Sequence, residues 1–198
     1  QALALVLLHG FTGDSSTWGR LLPHLGADRS VLAIDLVGHG ASDAPDDPTA
    51  YTMDATIEAI LAALAAAGVT RAHWLGYSMG GRVALSLALA HPTAVAGLVL
   101  VGTSPGIADH AERAARVRAD EALADEIERE GIDAFVDRWM ANPLFATQAR
   151  LGADFLSRAR AQRLRNHPHA LAHSLRGMGT GAMPPLWDDL GRIERSEE

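Results

Sequence analysis

The chain has 198 residues, 48% of them hydrophobic, and a formal net charge of −7. These values fit one globular domain and argue against a nucleic-acid surface or a polybasic membrane anchor. Cysteine is absent and all 17 Lys/Arg positions are arginine, which excludes disulfides, thiolate metal sites, Schiff-base lysines and a P-loop lysine.

Residues 2–8 are apolar and lead directly into His9-Gly10-Phe11-Thr12-Gly13. With no positively charged region before them and no small-residue cleavage site after them, they read as a buried strand and not as a signal peptide. Similar short apolar runs occupy 31–36, 73–76 and 96–101, a length and continuity that suit strands covered on both faces of a parallel sheet. Between them Ile57, Ile60, Leu61 and Leu64 recur at helical spacing, with Gly68 as a stop. A further helix is predicted over 79–90, ended by His91-Pro92. Alternating strands and helices predict an α/β sheet with right-handed crossovers.

From Pro105 onward only helical patterns remain. Asp109-x-x-Glu112 is a capping box opening a long charged helix that ends near Gly131. Ile132, Phe135, Val136, Trp139 and Met140 form an apolar stripe at helical spacing. Further helices are predicted over 147–165 and 168–176, followed by a breaker-rich exit over 177–185. The expected organisation is a core over 1–104, a helical lid over 105–183, and the start of a return to the core over 184–198. No stretch is long enough to span a membrane, so a cytoplasmic protein is expected. No metal, cofactor, nucleic acid or membrane partner is expected, and oligomeric state is left open.

Gly76-Tyr77-Ser78-Met79-Gly80 is a G-x-S-x-G sequence set between a predicted strand and a predicted helix. That turn is so sharp that side chains at its glycines would strike neighbouring backbone, and it lifts the serine above the sheet edge. Ser78 is therefore the candidate nucleophile. His9-Gly10-Phe11 after the first strand is the matching loop, and the amides of Phe11 and Met79 are the expected oxyanion donors. His9 is expected to orient that loop. Asp35-Leu36-Val37-Gly38-His39-Gly40-Ala41-Ser42 and Trp18 with Leu21-Leu22-Pro23 are expected to be structural.

These motifs, spread over the first half of the chain, resemble the α/β-hydrolase superfamily: a mostly parallel sheet, helices on both faces and a helical lid insertion, here expected to be truncated at both ends. Fold alone names no reaction. Within the superfamily the chain resembles the 2-succinyl-6-hydroxy-2,4-cyclohexadiene-1-carboxylate synthases of menaquinone biosynthesis. The resemblance rests on residues 76–84, Pro105-Gly106, residues 112–120, Trp139 with 142–145, Leu164-Arg165-Asn166 and residues 179–187. It implies a lyase that eliminates pyruvate from a small polycarboxylate substrate after a proton is removed beside a carbonyl. It implies Ser78 as a histidine-activated base, and Tyr77, Arg82, Arg116, Trp139 and Arg165 as the substrate pocket. Fixed guanidinium groups are suited to carboxylates, and Arg82 lies one helical turn past Ser78. Arg116 stands among Arg113 and Arg118, a pattern that also describes a solvated helix face.

Triad order in this fold is serine, acid, histidine. The acid and histidine are expected beyond Glu198, since no histidine here follows a late strand, and Asp188 and Asp189 precede the expected one. Two other readings stay open: a serine hydrolase of esters or carbon–carbon bonds, and a catalytically incomplete fragment or binding module.

Overall fold

The computed structural model of the chain describes residues 2–193. Four strands, β1 (Leu5–Leu8), β2 (Val31–Ile34), β3 (Ala72–Tyr77) and β4 (Val95–Val101), form a parallel sheet in the order β2-β1-β3-β4. On one face Val6, Leu8 and Trp74 pack against Ile57, Ile60 and Leu64 of α2 (Met53–Ala66), and against Val83, Ala84 and Leu87 of α3 (Met79–Ala90). On the other face Leu5 and Leu7 meet Trp18 and the partly buried Leu22 and Leu25, which bound the short helix α1 (Leu22–Leu25). Burying this aliphatic and aromatic surface is the main force holding helices to sheet.

The parallel register sets Leu8 beside Gly76. The loops leaving β1 and β3 therefore emerge together at the carboxyl edge of the sheet, where open α/β sheets bind ligands.

The strands depart from expectation in two ways. The first two are shorter than the apolar runs, and for the second the cause is visible. The Leu36 amide donates to His9 Nε2 at 3.0 Å, so the chain leaves the ladder although Leu36 stays buried. The fourth strand is not covered on both faces: Val99, Leu100 and Val101 are 52%, 38% and 46% exposed. Among the described residues β4 pairs only with β3.

After Gly102 the described elements are helical. In α4 (His110–Met140) the Asp109 carboxylate caps the first turn by accepting the Glu112 amide at 2.8 Å, and Gly131 interrupts the helix with φ 80° and ψ 177°. The helix expected over 147–165 is instead a 3-10 segment, Pro143–Leu151, followed by α5 (Ala153–Arg163). Gly152, at φ 87°, separates the two because that backbone conformation cannot continue a helix. The last lid helix, α6 (Pro168–Met178), packs Leu171, Ala172 and Leu175 against Ala124, Ile127, Phe135 and Val136 of α4. Arg176 reinforces the pair by reaching Glu121, Asp125 and Glu128 at 3.0, 2.6 and 3.0 Å. The two ends of the lid meet: Leu186 N donates to Pro105 O at 2.7 Å and Trp187 Nε1 to Gly106 O at 3.0 Å. Of the stretch expected to return to the core, residues 194–198 lie outside the described residues. Among the described residues no helix is long and apolar enough to cross a membrane.

Candidate active site

Ser78 has φ 52° and ψ −112°, one of two non-glycine residues with positive φ among those described. A serine in that region is strained and persists only where its surroundings fix it. Here the Ser78 amide donates to Val101 O at 2.9 Å, while the Ser78 carbonyl accepts from the Arg82 amide at 3.1 Å and from Thr103 Oγ1 at 2.9 Å. The flanking glycines allow the close approach. A Cβ at Gly76 would lie 2.4 Å from Gly80 O, and one at Gly80 would lie 2.3 Å from Leu8 O.

The loop after β1 is fixed by His9, which is fully buried. Its Nδ1–H donates to Gly10 O at 2.9 Å while Nε2 accepts the Leu36 amide. Accepting at Nε2 while donating from Nδ1 needs a neutral ring, and burial holds the His9 pKa below its ordinary value. The buried His39 ring, 5.1 Å from His9 between centroids, is driven by burial to a pKa of about 3. Neither histidine can act as a base toward solvent-borne substrate from such positions. Asp35 anchors the neighbouring loop: its burial opposes ionisation, but the amides of Ala41 and Ser15, at 2.8 and 2.5 Å, hold its carboxyl below the usual range. Gly40 is required there, because a Cβ would sit 2.3 Å from Asp35 Oδ2.

A cavity of about 1190 Å³ lies between this edge of the sheet and the lid. Ser78, Met79 and Phe11 line it from the core, and neither the Phe11 nor the Met79 amide is taken up by the hydrogen bonds of the turns and caps. Tyr77, Arg82, Arg116 and Trp139 line the same space. Arg82 is only 9% exposed, donates Nη2–H to Met178 O at 2.9 Å and leaves Nε without a protein partner. Burial, with the Arg116 charge nearby, lowers its pKa to about 10, so it still carries a proton at neutral pH. Arg116 donates Nε–H to the buried Asp120 at 2.7 Å. Trp139 stacks edge-on against Phe11, with centroids 5.4 Å apart.

Arg165 is not brought to this cavity. It follows the end of α5, is more than half exposed, and pairs with Asp14. Arg163 occupies the wall instead, together with Phe155, Arg158, Ala159 and Gln162 of the same helix. Those positions fall at i, i+3, i+4, i+7 and i+8, one face of a helix. That periodicity was present in the sequence, but the charged face hid it among the surrounding arginines. Burial lowers the Arg163 pKa and leaves its Nε unpaired. Arg20, from the first loop, also faces the cavity.

Residues 4–189 match the family described as alpha/beta hydrolase fold. The Bacillus subtilis (strain 168) protein named "Putative 2-succinyl-6-hydroxy-2,4-cyclohexadiene-1-carboxylate synthase" is 41% identical over 191 residues, covering 96% of this chain and 69% of its own. The synthase of that name from Enterobacter sp. (strain 638) is 33% identical, covering 92% and 68%.

The chain belongs to the 2-succinyl-6-hydroxy-2,4-cyclohexadiene-1-carboxylate synthase family.

This family's fold is seen directly in the Staphylococcus aureus MenH structure, which superposes with a TM-score of 0.89 at 36% identity and covers 97% of this chain and 72% of that one. A Pseudomonas aeruginosa hydrolase is also similar, at 32% identity with a TM-score of 0.79, covering 98% of this chain and 69% of that one. The synthase assignment thus agrees with the α/β-hydrolase architecture of strand, elbow and lid, and the named relatives are synthases of a small molecule.

Proposed function

We propose that this chain carries the lyase chemistry of its family, eliminating pyruvate from a small polycarboxylate cyclohexene in the cytoplasm to give 2-succinyl-6-hydroxy-2,4-cyclohexadiene-1-carboxylate. The observation that carries this reading is that Ser78, on its strained elbow, and the buried Arg82 border one cavity. Ser78 Oγ, activated by a histidine, takes a proton from carbon beside a carbonyl. The electron pair passes into the carbonyl to form an enolate, whose oxygen is held by the Phe11 and Met79 amides. As the enolate collapses, the carbon–oxygen bond to the enolpyruvyl unit breaks, and the departing enolate takes up the abstracted proton to leave as pyruvate. No acyl-enzyme is needed.

The substrate's carboxylates are met by Arg82 and Arg116, with Arg163 taking the part that the family resemblance had suggested for Arg165. A desolvated guanidinium with an unpaired Nε is a ready donor for such a group. Tyr77 and Trp139 supply the apolar wall against the ring.

The test is a steady-state comparison of the native protein on the pathway substrate and on a short-chain p-nitrophenyl ester. Turnover of the first, lost in Ser78→Ala, supports the lyase. Efficient Ser78-dependent turnover of the ester alone would replace it with an ester hydrolase.

A further inference from the structure

Phe11 sits between two carbonyls that are each held from a different part of the molecule. On the core side Gly10 O accepts from His9 Nδ1 and from the Gly13 amide, both at 2.9 Å. On the lid side Thr12 O accepts from two side-chain amides, Gln162 Nε2 at 3.0 Å and Asn166 Nδ2 at 3.1 Å. The Asn166 amide also donates to Arg163 O at 2.9 Å, and the residue is 5% exposed. A third tie joins Arg165 to Asp14.

Thr12 itself is fully buried with φ 65°. A β-branched residue in the left-handed region is a genuine outlier, because its Cβ substituents crowd the backbone. Left alone, the segment would relax toward negative φ and rotate the adjoining peptides. Two donors fixed on one carbonyl oppose that relaxation, as expected where strain is over-determined by its surroundings.

We infer that Asn166, seconded by Gln162, is a positioning residue of the oxyanion loop, through which the lid holds the Phe11 amide toward the cavity. This rests on the proposed role of that amide. Asn166 does not line the cavity, so it acts on the reaction only indirectly, through Thr12 O and, at the end of α5, through Arg163 O. The lid thereby has a second task besides roofing the site: the 11–14 loop keeps its strained form only while the end of α5 is docked on it. Arg165, excluded from the substrate pocket by its position, belongs to the same tether.

The experiment uses Asn166→Asp in the native protein, which keeps the side-chain shape but replaces the donor with an acceptor facing Thr12 O. Expected is a fall in kcat of roughly ten- to a hundredfold, the scale of a misplaced catalytic group or a weakened oxyanion donor, with KM nearly unchanged. Amide hydrogen exchange should accelerate in residues 10–13. Thr12→Gly added to Asn166→Asp should restore part of the lost kcat, since glycine accepts positive φ without strain. Unchanged exchange in the loop, a loss carried by KM alone, or no recovery with Thr12→Gly would overturn the inference. Retained turnover in Ser78→Ala would instead defeat the serine mechanism, while loop exchange in Asn166→Asp would still report on the tether.

Discussion

The imidazole of His9 accepts the amide of Leu36, 27 residues further along the chain, at 3.0 Å, tying the loop after β1 to the chain just past β2 through a ring that must be neutral. Burial lowers the pKa of His9 from 6.5, and that of His39 from 6.5 to about 3. Unfolded, each ring takes up a proton as pH falls through about 6.5; folded, it resists. The stability they contribute is therefore complete above 6.5 and is lost as pH falls below it, down to about 3 for His39. The slope is about 1.4 kcal/mol per pH unit per histidine. Asp14 and Asp35 are also lowered, but their loss begins only below the ordinary carboxylate value of 3.8. Urea unfolding between pH 7 and 4.5 should show the midpoint falling from near pH 6.5, and less steeply in His39→Asn. A flat profile in that interval would contradict the neutral pair.

Ser78 combines its proposed catalytic role with strain, so its two simplest replacements should separate the two. Ser78→Gly and Ser78→Ala both remove the hydroxyl and should abolish turnover. Glycine, however, tolerates φ 52°, whereas alanine does not. Ser78→Gly should be the more stable of the pair by about 1 kcal/mol, as read by chemical denaturation. Equal stabilities would mean that the elbow carries no strain.

The arginines give a graded set. Arg82→Ala and Arg163→Ala should each weaken substrate binding by roughly ten- to a hundredfold, the scale of one charge-assisted hydrogen bond. Arg165→Ala should leave substrate affinity close to that of the parent. Isothermal titration with the reaction product would decide it, and an Arg165→Ala defect in affinity as large as that of Arg82→Ala would return Arg165 to the pocket.

Much of this site was legible in the sequence because the fold concentrates it. Ser78, Met79 and Arg82 follow one another across a strand-to-helix turn, and Phe11 lies in the loop after β1 that the register brings beside it. Backbone geometry then leaves little freedom, and local pattern suffices. The third guanidinium was different. Arg163 and Arg165 are two residues apart on a segment rich in arginine, and which one turns inward depends on where α5 stops. At that stop the Asn166 amide donates locally to Arg163 O and across the molecule to Thr12 O, and the second of these contacts no periodicity announces. Likewise the apolar run of β4 reads as a covered strand, but burial depends on neighbours and not on the run itself.

The break at Gly131 divides the roof of the cavity. Arg116 stands on the segment of α4 before it and Trp139 on the segment after it, so the cationic wall and the aromatic wall belong to two rods joined at one residue. A Cβ there would meet nothing within 4 Å, and only the φ of 80° forbids a side chain. The spacing of charge and ring thus depends on the backbone angle at Gly131. Gly131→Ala should change ligand size preference without filling any space, which a series of carboxylates of increasing ring bulk would reveal.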